Sequence, residues 1–242
     1  PDNINSAIEV ILQVGPDDPH RLAPLQLLAQ IAQEPCFNKL RTEQQLGYIV
    51  FCGVRGDHGI NALRFLVQSS RADPYMLDEK IEDFIEYLGG LLEDIDEDAL
   101  RRNIDAVLDS NLERDKTLFA ETRRWAGEIE HHFYRFSRAV ELAASVSTTT
   151  KADLLGFFND FIHRDGKNRR KLVVGIFGAK HQSALPTAAR TRASHDNDNA
   201  TLAATHALQT RNEPAVYQVA NIRQFRTSNS LFPVQSRAQN KL

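Results

Sequence analysis

Glu128, Glu130, His131 and His132 form the densest group of residues able to hold a metal, and their types suit zinc. The sequence around them reads as a helix, on which neighbouring side chains point about 100° apart, so the two histidines do not share one ion. Glu128 and His132, four residues apart, could do so. Two further ligands are then needed, and neither H-E-x-x-H nor H-x-x-E-H occurs: Gly127 stands where the inverted motif needs its first His. A solvated helix face is the competing reading. Cys36 is a candidate nucleophile with His58 or a helical His as base, but a lone Cys among apolar residues is ordinarily a small core side chain. Gly53, Gly56 and Gly59 match no phosphate-binding string. One further segment stands out, running from Glu34-Pro35-Cys36-Phe37 through Leu40-Arg41-Thr42 to Gln45-Leu46-Gly47-Tyr48-Ile49-Val50. By residue type alone it is a helix end, a glycine stop at Gly47 and a strand starting at Tyr48. Arg41 would then complement the carbonyl end of the helix, and Tyr48 would be an amphipathic residue at a core edge.

The elements that would position these residues follow from periodicity. Ile8, Val10, Leu12 and Val14 alternate with a second set of side chains, the pattern of a strand with one buried face. Beyond Gly15-Pro16, Leu22, Leu25, Leu28 and Ile31 make a helical stripe in which Pro24 is tolerable only within the first turn. Tyr48 to Val54 and Ile60 to Gln68 predict an antiparallel hairpin reversing through Gly56-Asp57-His58-Gly59. Asp73-Pro74 opens a helix through Leu77, Ile81, Phe84, Ile85, Leu88 and Leu92, weakened late by Gly89-Gly90. Asp96 begins a second, Leu118 to Ile129 a third, and a threonine among 148–150 caps a fourth that buries Leu154, Leu155, Phe158 and Phe161. Leu172 to Phe177 returns as a strand. Strands apart from a run of helices indicate an α+β fold: a largely antiparallel β-sheet with helices packed on one face.

Hydrophobic residues at 42% and charged residues at 25% exclude a fully disordered or collagenous chain, and no apolar run reaches the roughly 20 residues that span a bilayer. Twenty-nine Lys and Arg against 32 Asp and Glu give a charge of -3, so no global positive field draws in nucleic acid. Neither nucleic acid nor membrane is an expected partner. Two cysteines are too few for a disulfide scaffold and suit an intracellular, cytoplasmic setting. Residues 1–180 read as one α+β domain. Residues 181–215, rich in Ala, Thr, Ser, Asn and His, read as a flexible linker, and 216–242 as a C-terminal tail docking on the domain. The opening Pro1-Asp2-Asn3, without Met, reads as a piece of something longer. Asn240-Lys241-Leu242 is similar to the S-K-L peroxisomal address.

The segment from Glu34 to Val50 resembles the last domain of insulysin-like members of the pitrilysin-type inverted-zincin metallopeptidase family. The resemblance continues more loosely through Gly59 to Gln68, Trp125 to Ile129, Leu231-Phe232-Pro233 and Lys241-Leu242. It implies one domain of a clamshell that degrades short unfolded peptides, with zinc held by the N-terminal domain of the parent enzyme and none bound by this fragment. It implies further that Arg41 and Tyr48 enter the catalytic site and that Phe37 walls the pocket beside the scissile bond. The expected partners are a peptide substrate and the zinc-bearing N-terminal half, and the isolated domain is expected to be inactive. The alternative is a non-catalytic domain of the same fold that binds peptide strands by edge pairing. The chemistry suits the types: a phenol can stabilise the oxygen of an attacked carbonyl, and a guanidinium fork can hold peptide carbonyls in register.

Overall fold

The computed structural model describes residues 3–130 and 133–184. The first strand, β1 (Ser6–Pro16), buries Ile8, Val10, Leu12 and Val14 on one face, as its alternation predicts. Asp18 then accepts a hydrogen bond from the His20 N–H and caps α1 (Pro19–Cys36). Pro24 lies in the second turn of α1 rather than the first, and Pro35 in the last. The helix tolerates Pro24 near its exposed start, where the unpaired carbonyl belongs to His20, itself exposed.

The hairpin forms from β2 (Ile49–Asp57) and β3 (Ile60–Ser69). Its two turn residues, His58 and Gly59, have φ of 49° and 78°, the left-handed pair that matches the twist of a two-residue reversal. The sheet runs β2-β3-β1-β4 with every pairing antiparallel, and β4 is Lys171–Ile176. Val10 sits opposite Phe65 in β3. Phe65 packs edge-on against Phe84 at 5.9 Å, joining sheet to helix.

Phe84 belongs to α2 (Pro74–Asp94), capped by Asp73, whose carboxylate accepts from Tyr75 and Met76. All six residues of the expected stripe are buried. Asp96 caps α3 (Glu97–Leu112). Next, α4 (Leu118–Glu130) buries no residue, with Leu118 80% and Phe119 75% exposed. A helix not foreseen in the sequence follows, α5 (Arg138–Ser147), with Leu142, Ala143 and Val146 inside. It is fixed by Asp17, which is almost sealed from solvent and accepts two bonds from Arg138, at 2.8 and 3.1 Å, and one from Asn61 at 3.0 Å. Thr150 and Asp153 form a reciprocal capping box for α6 (Lys151–Phe157), which widens into a π-helical turn at Phe158–Ile162. A 3-10 turn, Ala179–Ala184, covers the first residues of the segment read as a linker; the rest of it, the tail and Asn240-Lys241-Leu242 lie outside the described residues. No described helix is long and apolar enough to cross a membrane.

The approach to β4 is tied to α2 by charge. Glu82 accepts from Arg169 and Lys171, both at 2.6 Å, and Lys171 also meets Asp78 at 2.7 Å. Burial pushes the Glu82 carboxyl up, but the bonds from Lys171 and Arg169 outweigh it and hold it below 4.5. A carboxyl lowered by folding stabilises fully above its ordinary value of 4.5, and that contribution is lost as pH falls through the depressed folded value. Glu82→Gln should therefore cost about 2 kcal/mol at neutral pH, since it strands the guanidinium of Arg169, and the difference should shrink in acid. Urea unfolding of both proteins above and below pH 4.5 reads this; an equal deficit at both would be inconsistent with it.

Candidate functional site

The end of α1 carries the candidate residues. Beyond Cys36 the helix widens into a π-helical turn, Phe37–Glu43, in which Leu40 is fully buried and anchors the turn to the core. Phe37 and Arg41, four residues apart, share the outward face. The Gln44 N–H donates to the Lys39 carbonyl, and the Leu46 N–H to that of Leu40 at 3.0 Å. Between them Gln45 takes a left-handed φ of 51°, and its side-chain oxygen accepts from Arg71 at 3.2 Å. Leu46, 8% exposed, plugs the core below.

Gly47 then runs against β3. A β-carbon at this position would stand 1.7 Å from the Gln68 carbonyl oxygen. The glycine is thus required by close approach rather than as the helix stop expected from the sequence; the left-handed residue is Gln45. The chain emerges with Tyr48 83% exposed and folded back over the helix end. The Arg41 guanidinium carbon lies 4.8 Å from the centre of the Tyr48 ring and 4.6 Å from that of Phe37. All three residues singled out in the sequence therefore meet in one cation-aromatic cluster.

Neither the Arg41 guanidinium nor the Tyr48 hydroxyl has a hydrogen-bond or ion-pair partner among the described residues. The cluster presents unspent N–H and O–H donors to whatever faces it, the complement of a carbonyl or carboxylate oxygen. Beside it Lys39 pairs with Glu43 at 2.8 Å and lies 5.0 Å from the Tyr87 ring centre. Phe37, half exposed, also borders a depression of about 460 Å³ with Gln30, Ile31, Pro35 and Asn103. Asn103, on α3, comes from no motif; only the packing of α3 on α1 brings it there. Arg41 and Tyr48 line neither this depression nor the smaller one next to it.

The other candidates do not join the cluster. Glu128 accepts from the Arg135 N–H and lies 3.8 Å from Arg138, an ion-pair role. His131 and His132 lie outside the described residues. Among the described residues no three His, Cys, Asp or Glu side chains converge as a metal site. Cys36 and Cys52 are both buried, and a hydrogen bond with Cys36 together with burial pushes the Cys52 thiol well above its usual range. Cys36, the candidate nucleophile, is itself sealed in the core, 1% exposed, where no substrate reaches it. His58 sits in the hairpin turn against Asp57, almost wholly exposed.

A family profile described as the C-terminal lobe domain 4 of PqqF-like PQQ synthases matches residues 27–126, which contain Phe37, Arg41, Gly47 and Tyr48. The insulin-degrading enzyme of Drosophila melanogaster is 37% identical over 172 residues, covering 71% of this chain and 17% of that protein. That of Homo sapiens is 34% identical over 230 residues, covering 95% of this chain and 22% of that protein. The crystal structure of pitrilysin matches with a TM-score of 0.68 at 26% identity, covering 76% of this chain and 19% of that one. The chain spans about a fifth of the length of these proteins.

The close approach at Gly47 has a measurable consequence. Gly47→Ala should destabilise the chain by about 2 kcal/mol or more, because the obstacle is main chain and cannot swing away. Gly127→Ala, at a helical position with open space around it, should be neutral or stabilising by up to about 1 kcal/mol. Thermal unfolding of the two variants compares them; equal behaviour would remove the packing argument.

Proposed function

The chain belongs to the insulysin and pitrilysin family of peptidases, and from that premise we propose that it is the zinc-free C-terminal domain of an insulysin-like zinc metalloendopeptidase acting on short unfolded peptides. The observation that carries this reading is the cluster itself: Arg41 between Phe37 and Tyr48, on an open surface, with its donors unspent. A phenol hydroxyl set beside a peptide carbonyl donates to its oxygen, and the bond strengthens as negative charge grows there during attack. Tyr48 takes that role. Arg41 holds neighbouring peptide carbonyls through its fork of N–H groups and adds positive potential, and Phe37 walls the adjoining pocket.

The exposure of Tyr48 supports a site completed from outside the chain. A donor surrounded by water gains little, whereas the same donor in a dry, closed site is worth far more. The N-terminal half of the parent protein would supply that cover together with the zinc. Generation of the attacking nucleophile lies outside this chain. The free thiols of Cys36 and Cys52 support an intracellular setting. A second reading, a non-catalytic domain that pairs with peptide strands, is favoured by one feature: β2 ends the sheet, and among the described residues nothing pairs with its outer edge.

Kinetics separate the two. In the parent peptidase, Tyr48→Phe should lower kcat about 100- to 1,000-fold with KM little changed, read with a quenched fluorescent peptide. Unchanged turnover would take Tyr48 out of the chemistry and leave the strand-binding reading. The purified 242-residue chain alone should not cleave that peptide, with or without added zinc. Cleavage by it that a chelator abolishes would overturn the proposed division of labour.

A further inference from the structure

Arg41 is held differently from four other arginines near the sheet and its helices, and like Arg21, which lies 5.8 Å from the Phe161 ring centre, it rests on aromatic faces. Arg55 and Arg64 are fixed by Glu9, Arg138 by Asp17 and Arg169 by Glu82, each through an ion pair of 3.0 Å or less. Arg41 has no carboxylate among the described residues, and only the faces of two aromatic rings restrain it. A carboxylate would have satisfied its N–H groups and neutralised its charge. A ring face does neither. It restricts the long side chain while leaving the fork free to meet an incoming oxygen.

The two rings reach Arg41 by independent routes. Phe37 stands four residues earlier on the same helical face. Tyr48 arrives through the Gln45 reversal and the Gly47 approach to β3. From this geometry we infer that Phe37 is a positioning residue that acts through Arg41, and that Tyr48 has two separable jobs, its hydroxyl donating to the substrate and its ring holding the guanidinium. This inference rests on the proposed role of Arg41 and deepens it. A free arginine must give up much of its rotamer freedom on meeting substrate, whereas one already stacked has lost most of that freedom beforehand. The benefit appears where orientation matters, in the reacting complex, and so in kcat more than in KM.

A wall and a holder respond differently to substitution. Phe37→Leu keeps an apolar side chain in place but removes the ring face; Phe37→Tyr keeps the face. In the parent peptidase, Phe37→Leu should lower kcat about three- to tenfold, with Phe37→Tyr close to the original protein. The kcat loss should be the same for peptides with Leu or Ala after the scissile bond, because it passes through Arg41, whereas the contact Phe37 makes as pocket wall shows in KM. The decisive arm is a double-mutant cycle: in an Arg41→Ala background, Phe37→Leu should have no further effect on kcat. Additive losses in the cycle, or a loss that appears only in KM and follows the peptide side chain, would overturn the inference and leave Phe37 as a wall alone. If Arg41→Ala itself leaves turnover unchanged, the proposed role of Arg41 fails, a result the cycle reports separately. Circular dichroism of each variant confirms that the comparison is between folded proteins.

Discussion

The main chain of Gly47 passes so close to β3 that any side chain there would strike the Gln68 carbonyl, and this approach dictates how α1 leads into β2. A bulkier residue would push the start of β2 away from its neighbour. Two features make the approach possible: the left-handed Gln45, which reverses the chain, and Leu46, which plugs the core while its N–H ties back to Leu40. The helix end and the strand start are thereby fixed to one another between Arg41 and Tyr48. Arg41 lies in the turn that Leu40 anchors and Tyr48 immediately before β2, so the pair is positioned by the buried residues on either side of the link.

That rigidity serves an unfinished surface. Tyr48 projects into solvent, the depression beside Phe37 is shallow, and the donors of the cluster have no acceptor among the described residues. In water such donors contribute little to charge stabilisation; enclosed, they become effective. The chain spans about a fifth of its relatives, and the proposed division of the active site between domains assigns to this piece the orienting and oxyanion donors.

Much of the fold is legible because its signals are local. The alternation from Ile8 to Val14, the stripe from Leu77 to Leu92, and the caps at Asp73 and Asp96 each follow from residue type at fixed spacing. The α5 helix is not legible in the same way, since its short apolar face, Leu142, Ala143 and Val146, depends on the buried Asp17 to Arg138 pair more than 100 residues away in sequence. The outward face of α4 is missed for the converse reason: Leu118 and Ile129 follow a helical period, yet both stay exposed. At the site, the resemblance names Phe37, Arg41 and Tyr48, whereas the wider turn, the left-handed Gln45 and the reason for Gly47 are tertiary facts. Periodicity cannot report a contact between Gly47 and Gln68.

The most direct test of the account is a crystal structure of the parent peptidase with a peptide analogue bearing a tetrahedral oxyanion mimic. The Tyr48 hydroxyl should stand about 2.7–3.1 Å from that oxygen, with Arg41 still stacked between the two rings and bonded to the peptide main chain. A Tyr48 hydroxyl turned to solvent, with the oxygen held by other groups, would contradict it.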